Sequence, residues 1–259
     1  MIVPRTAVSR NALIAELDAV LFIKMDLYPM TLEDFLWAGQ ICERRETEIR
    51  HCFHTLTAAH ILSLILDGVE YIHSQGMIHR DLKPGNILLS VHHNPNLSSA
   101  GSVEIGACPE CNGGLESRQT FITPHIGDFG LVAETKKPLA DNFHNSTFEH
   151  KFEPTELARL APAGSKLYLP QMATGIICPK LDVYSLGIIA FELLYKFGTR
   201  TERIMVLEKL KQGEFPADFE THKMASSIKA MTCRNREERW NCTAVRTWLE
   251  HIKDRYQRA

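Results

Sequence analysis

The amino-acid sequence predicts an α+β chain that is mainly α, with a C-terminal half that is predominantly helical. Three observations carry this reading. Residues 182–195, "DVYSLGIIAFELLY", are apolar nearly all round, the mark of a helix buried on every side. Residues 57–74 set Ile61, Leu64, Ile65, Val69 and Ile72 at helical spacing, a wide apolar stripe. Strand formers gather in short runs at 20–27 and 87–89.

Taken in order, Val20 to Leu27 reads as a strand that ends at Tyr28-Pro29, where proline stops continuation. Thr31-Leu-Glu-Asp34 has the form of a capping box opening a short helix through Trp37. The helix from Thr57 to Ser74 follows, then the strand-like Ile87-Leu-Leu89. From about Ser90 to Pro124 the chain is polar and turn-rich without periodicity, so a long loop or insertion is expected. Thr135 to Ala163 is similarly irregular. After the buried helix, Thr201–Gln212 and Ala244–Arg255 look amphipathic, and no internal repeat is present.

Bulk composition narrows the function classes. The 259 residues are 44% hydrophobic and 23% charged, enough for a substantial core in one domain or two. With 29 basic against 31 acidic residues the net charge is -2, which removes a general electrostatic case for binding nucleic acid or a membrane. The N-terminal stretch is interrupted by Arg5, Arg10 and Glu16 and does not read as a secretory signal, so a cytoplasmic protein is expected. Seven cysteines without framework spacing then read mostly as reduced thiols.

Chemistry concentrates in "MIHRDLKPGNILL", where a carboxylate, a lysine and an amide fall within six residues between apolar flanks. His79-Arg-Asp-Leu-Lys-Pro-Gly-Asn86 has the H-R-D-x-x-x-x-N spacing, Asp128-Phe-Gly130 follows an apolar run, and Asp182-Val-Tyr-Ser-Leu-Gly187 opens the buried helix. Together and in this order these motifs resemble the large, C-terminal lobe of a protein kinase. The resemblance covers about residues 20–256. It divides the chain into a remnant of the small lobe and hinge at 1–28 and a large lobe at 29–256, with an insertion at about 90–124.

Phosphoryl transfer needs a carboxylate to accept the substrate hydroxyl proton, and oxygen ligands to hold Mg²⁺ against ATP. By the resemblance, Asp81 is the base, Lys83 contacts the transferring phosphate as in serine/threonine kinases, and Asn86 with Asp128 holds the metal. The adenine site would be Met25 behind the pocket, the backbone of Asp26 and Tyr28 at its edge, and Leu88 beneath the ring. Arg80 would await a phosphate on the activation segment, where Thr135, Ser146, Thr147 and Thr155 are candidates, and Ser165 would contact Asp81 and Lys83.

"FGTRTERIMVLEKLKQGEFP" and "MDLYPMTLEDFL" are similar to stretches of the kinases that phosphorylate the alpha subunit of translation initiation factor 2, most nearly the fungal heme-regulated-inhibitor type. The resemblance implies that Thr199, Glu202 and Arg203 belong to a substrate-docking segment, and that a longer protein would form a kinase dimer. A plain helix start, with Thr199 as cap and Glu202 three residues on, accounts for the same letters except the arginine.

Part of the kinase pattern has no counterpart here. The first glycine is Gly39 and the only lysine before the catalytic loop is Lys24, so the glycine-rich loop and the phosphate-pairing lysine are missing from these residues. Each lost electrostatic contact is worth about 2.7–4 kcal/mol of barrier, and the chain by itself is expected to be a poor catalyst. The alternative is a catalytically dead lobe that serves as a docking or regulatory binding module. Gln171 also stands where the pattern has a glutamate that pairs with an arginine matched by Arg239, at an expected cost of about 3–5 kcal/mol unless the glutamine amide substitutes. Finally, Cys108-Pro-Glu-Cys111 in the insertion is a lone Cys-x-x-Cys. Zinc there would need two further ligands, with His92, His93 and His125 nearest in sequence; a redox pair or an ordinary loop are the other readings.

Overall fold

The structure, a computed structural model, describes residues 25–37, 51–93, 101–105, 108, 120–134, 164–171 and 177–257. A capping box begins it. Strand β1 (Met30–Thr31) leads into helix α1 (Leu32–Trp37). The Thr31 amide donates to Asp34 Oδ2 at 2.9 Å, and the Asp34 amide donates to Thr31 Oγ1 at 3.1 Å. The expected reciprocal cap is therefore present. Helix α2 (Thr55–Ser74) starts two residues before its expected first turn. It buries the stripe of Ile61, Leu62, Ile65, Leu66 and Val69 in the core. By length and composition α2 would also pass for a membrane-crossing helix, but 61% of its most apolar window is buried inside the fold.

Four strands form an antiparallel sheet in the order β1-β3-β5-β4. Strand β3 (Ile87–His92) pairs with β5 (Thr120–Ile126) in the register Ile87↔Ile126, and β4 (Val103–Ile105) lines the far edge of β5. A second pair joins β2 (Met77–Ile78) to β6 (Ala133–Glu134). Two expectations are corrected here. Ser90–His92 and Thr120–Pro124 are ladder-paired strand rather than loop: Ser90, Val91 and His92 pair with Thr123, Ile122 and Phe121, and Thr120 pairs with Ile105 of β4. Met25 to Leu27 are irregular, with Met25 and Leu27 81% and 98% exposed. Among the described residues nothing pairs with that segment, and residues 20–24 of the expected strand lie outside them. The irregular stretch 135–163 also lies outside the described residues.

Helix α3 (Lys180–Glu192) runs through the centre, with every residue from Leu181 to Glu192 buried. Gly187 lies against the following helices: a Cβ there would meet Thr232 Cγ2 at 2.7 Å and Met231 Cβ at 2.8 Å. Against α3 pack α4 (Arg200–Lys211), α5 (Ala217–Glu220) and α6 (Ala225–Met231), while α7 (Cys242–Gln257) packs on α2. Phe191 at its C-terminal end is an aromatic hub, stacked on Tyr195 and edge-on to Phe215 and Phe219. Arg246 of α7 bridges Asp67 and Glu70, fastening the last helix to α2.

Candidate active site

The loop from β2 to β3 is held from below by one buried carboxylate. Asp182, fully buried at the start of α3, accepts the His79 amide at 2.9 Å and the Arg80 amide at 2.8 Å, while His73 Nε2 donates to it at 2.8 Å. Those bonds hold Arg80 in a left-handed conformation, φ 71°. A non-glycine residue in that region is strained by about 1–3 kcal/mol and persists only where its surroundings enforce it. Asp128 is the second such residue, φ 60°. Arg80 lies in the β2–β3 loop and Asp128 just past the end of β5.

Asp81 is clasped on both carboxylate oxygens. Oδ2 accepts from Lys83 Nζ at 2.7 Å and from Asn86 Nδ2 at 3.0 Å; Oδ1 accepts the Ser165 amide at 2.7 Å. Lys83 also donates to Ser165 Oγ at 2.9 Å. Burial pushes the Asp81 carboxyl up, but the Lys83 and Ser165 hydrogen bonds outweigh it and hold it below the usual carboxylate range. It is ionised at neutral pH. Gly164, φ 122°, makes this approach possible, since a Cβ there would stand 2.6 Å from the Arg80 carbonyl oxygen.

The β3–β5 ladder brings Asp128 to the same place. One step past the Ile87↔Ile126 pair, the Gly127 amide donates to the Asn86 carbonyl oxygen at 2.8 Å, so Asp128 follows directly beside Asn86. His79 links the two sides: its Nδ1 accepts the Asp81 amide at 3.3 Å, its Nε2 donates to the Gly127 carbonyl at 3.0 Å, and Phe129 meets its ring edge-on. Both Asn86 amide hydrogens are committed to Asp81, one to its backbone carbonyl and one to Oδ2. The amide oxygen has no partner among the described residues. With the exposed Asp128 carboxylate it makes a pair of hard oxygen donors, which fits Mg²⁺.

Other expected site residues are placed as follows. Tyr28 packs on His125 with ring centroids 4.9 Å apart, and His125 is the ladder partner of Leu88. Leu88 in turn lies against Gly127. Asp26 is exposed near this edge, as is Met25, which has nothing to guard among the described residues. Arg80 is buried; burial lowers its guanidinium and the Asp182 carboxylate acts in the opposite sense, with no side-chain ion pair formed among the described residues. The four phosphorylation candidates lie outside them.

Thr199 caps α4: its Oγ1 accepts the Glu202 amide at 3.0 Å, and the Glu202 carboxylate accepts the Gly198 and Thr199 amides. Arg203 turns inward, Nε to the Glu192 carboxylate and Nη2 to the Tyr168 hydroxyl, which itself donates to Glu192. Burial alone would lower the Arg203 guanidinium; Glu192 raises it instead, so it stays charged. This buried cluster joins α3, α4 and the 3-10 turn at Lys166–Tyr168. Sequence reasoning missed Tyr168 and Glu192, since no local spacing connects residues 168, 192 and 203.

The expected cost at Gln171 is also corrected. Gln171 is exposed, and buried Arg239 instead donates to the carbonyls of Cys233 at 2.8 Å, Lys180 at 3.0 Å and Arg234 at 3.4 Å, with its guanidinium over the Tyr184 ring. The cation is not stranded. Backbone oxygens take the place of the missing carboxylate.

A clasped carboxylate with a lysine beside it, and two oxygen donors just outside the paired ends of β3 and β5, match the arrangement that phosphoryl transfer requires. Residues 24–249 match the family model described as "Protein kinase domain", and the chain belongs to the protein kinase family of phosphoryl transferases, which use ATP and Mg²⁺. Among curated proteins it is similar to eukaryotic translation initiation factor 2-alpha kinase 1 of Schizosaccharomyces pombe, 36% identical over 216 residues. That match covers 77% of this chain and 28% of the relative. Kinase 2 of the same yeast is 34% identical over 65% of this chain and 26% of its own length; kinase 3 of Bos taurus is 30% identical over 77% and 14%. The chain thus spans about a quarter of the length of the two yeast relatives and less of the bovine one.

Proposed function

We infer that this chain is the large lobe of a serine/threonine kinase that phosphorylates the alpha subunit of translation initiation factor 2, in cytoplasmic control of translation under stress. The observation that carries the reading is the clasp on Asp81. An ionised carboxylate with Oδ1 and Oδ2 fixed by Ser165, Lys83 and Asn86 is oriented to accept the proton of a substrate hydroxyl. Lys83, shared between Asp81 and Ser165, holds its charge where a transferring phosphoryl group would pass. Mg²⁺ with ATP supplies the phosphoryl group, and Asn86 Oδ1 with the Asp128 carboxylate would hold the metal. Tyr28, Asp26 and Leu88 would border the adenine ring, with Met25 behind it. Arg80, buried beside Asp182 without a close ion pair among the described residues, would receive an activating phosphate.

The names of the relatives support the choice of substrate, and α4 supplies a surface for it. Ile204 and Met205 on that helix are 50% and 60% exposed, beside Thr199 and Thr201. Arg203 and Glu202 hold the helix in place while these neighbours would make the contact. The test is calorimetric titration of the isolated alpha subunit into the chain. Binding should weaken about tenfold or more in Met205→Glu, the size of a lost interface anchor, and be unchanged in Lys229→Glu on α6. Absence of binding, or equal binding by both variants, would overturn the assignment of substrate.

A further inference from the structure

We propose that Cys52, His54 and Cys108 form a zinc site that fastens the segment between β4 and β5 to the entrance of α2. Two thiols and an imidazole from distant parts of the chain meet here, and their ligand atoms all lie within 4.8 Å of one another. His54 Nδ1 is 3.2 Å from Cys108 Sγ. Zinc bonds of about 2.3 Å to sulfur and 2.0–2.1 Å to nitrogen in a tetrahedron set ligand atoms roughly 3.5–3.8 Å apart. Closing around the ion thus asks for movements of about 1 Å or less.

The local backbone is arranged for this. Phe53, between the two ligands, has φ 57°, a left-handed conformation that a bulky residue seldom adopts. An extended chain would hold positions 52 and 54 about 6.6 Å apart; the turn at Phe53 brings their side chains to one point. The preceding residue is anchored, since His51 Nε2 donates to the Leu193 carbonyl at 2.7 Å. His54 occupies the N-cap of α2 but makes no capping hydrogen bond with its side chain, which turns to Cys108 instead. Cys108 is buried at 7% exposure, and His93 and His125 are bonded elsewhere, to Thr120 and Ser90.

The donor set selects the metal. Thiolate and imidazole together suit Zn²⁺ and disfavour Mg²⁺ or Ca²⁺. Binding releases one proton from each thiol and involves no electron transfer. Cys111 completes a Cys-x-x-Cys spacing with Cys108; it lies outside the described residues, and the assignment rests on the other three.

The test uses the 259-residue chain without a histidine tag, purified under reducing conditions. Elemental analysis should find about one zinc per chain after gel filtration, falling at least fivefold in Cys108→Ser and in His54→Ala and staying unchanged in Cys233→Ser. Because the first two substitutions can impair folding, cobalt is also added to the metal-stripped wild-type chain. Thiolate-to-cobalt charge-transfer absorption with the intense visible bands of tetrahedral cobalt is expected. No bound zinc or cobalt in the reduced wild-type chain, a Cys52–Cys108 disulfide in place of metal, or undiminished zinc in both variants would overturn the proposal.

Discussion

Asp182 shows how much of the site rests on a single side chain. It is fully buried, and two backbone amides and His73 all end on its two oxygens. Asp182→Asn presents an amide hydrogen to one of those donors and leaves a buried group unpaired. It should lower unfolding stability in urea by about 1–3 kcal/mol; a change below about 0.5 kcal/mol would remove Asp182 from this role. Asp81 gives a prediction with a sign. Its folded carboxyl titrates below the unfolded value of 3.8, so its contribution is fully present above that pH and is lost as pH falls through the folded value. The stability gap between the wild type and Asp81→Asn should therefore be constant from pH 7 to 5 and narrow below pH 4. A gap that widens on acidification would contradict the clasp.

At the scale of elements, the start of α4 separates two kinds of constraint that look alike in the letters. Thr199 and Glu202 form a solvent-facing capping box, readable from spacing alone. Arg203 belongs to a buried cluster whose members sit 11 and 35 residues away, which no local pattern reveals. Thr199→Ala should cost about 0.5–2 kcal/mol. Arg203→Met strands Glu192 in the core and should cost more, about 3–5 kcal/mol. Urea midpoints measure both, and equal losses would mean that Glu192 is not dependent on Arg203. The same division explains what the sequence made legible. Helices α1, α2, α3, α4 and α7 announced themselves by caps and periodicity. Strands β4 and β5 did not, because their short runs of strand formers, Val103-Glu-Ile105 and Thr120-Phe-Ile-Thr123, sit within a long polar, turn-rich stretch and are fixed by pairing, β5 with β3 and β4 with β5. Asp81, Lys83 and Asn86 are close in sequence and could be read together, and the resemblance pointed to Ser165; the anchoring role of Asp182 required the fold.

For the whole molecule, the two sides of the site differ in completeness. The catalytic loop, the Asp128 turn and α3 are interlocked through Asp182, His79 and the β3–β5 ladder. The proposed adenine edge, by contrast, consists of exposed Met25, Asp26 and Leu27 with Tyr28 resting on His125. Asp81, Asn86 and Asp128 have the chemistry proposed for proton acceptance and metal binding, and the 259 residues hold no glycine before Gly39. The chain alone should therefore show no binding of Mg-ATP at micromolar concentration in a calorimetric titration. Tight binding would mean that the phosphates are held by groups other than those named.

The clasped Asp81 is tested most directly by phosphate transfer. The chain is joined in frame to a glycine-rich small lobe from one of the similar yeast kinases and given radiolabelled ATP, Mg²⁺ and the isolated alpha subunit. Label on the alpha subunit is expected, with the rate falling by about 10²–10⁴ in Asp81→Asn while the fold is retained. No transfer by the joined protein, or transfer at an undiminished rate in Asp81→Asn, would contradict it.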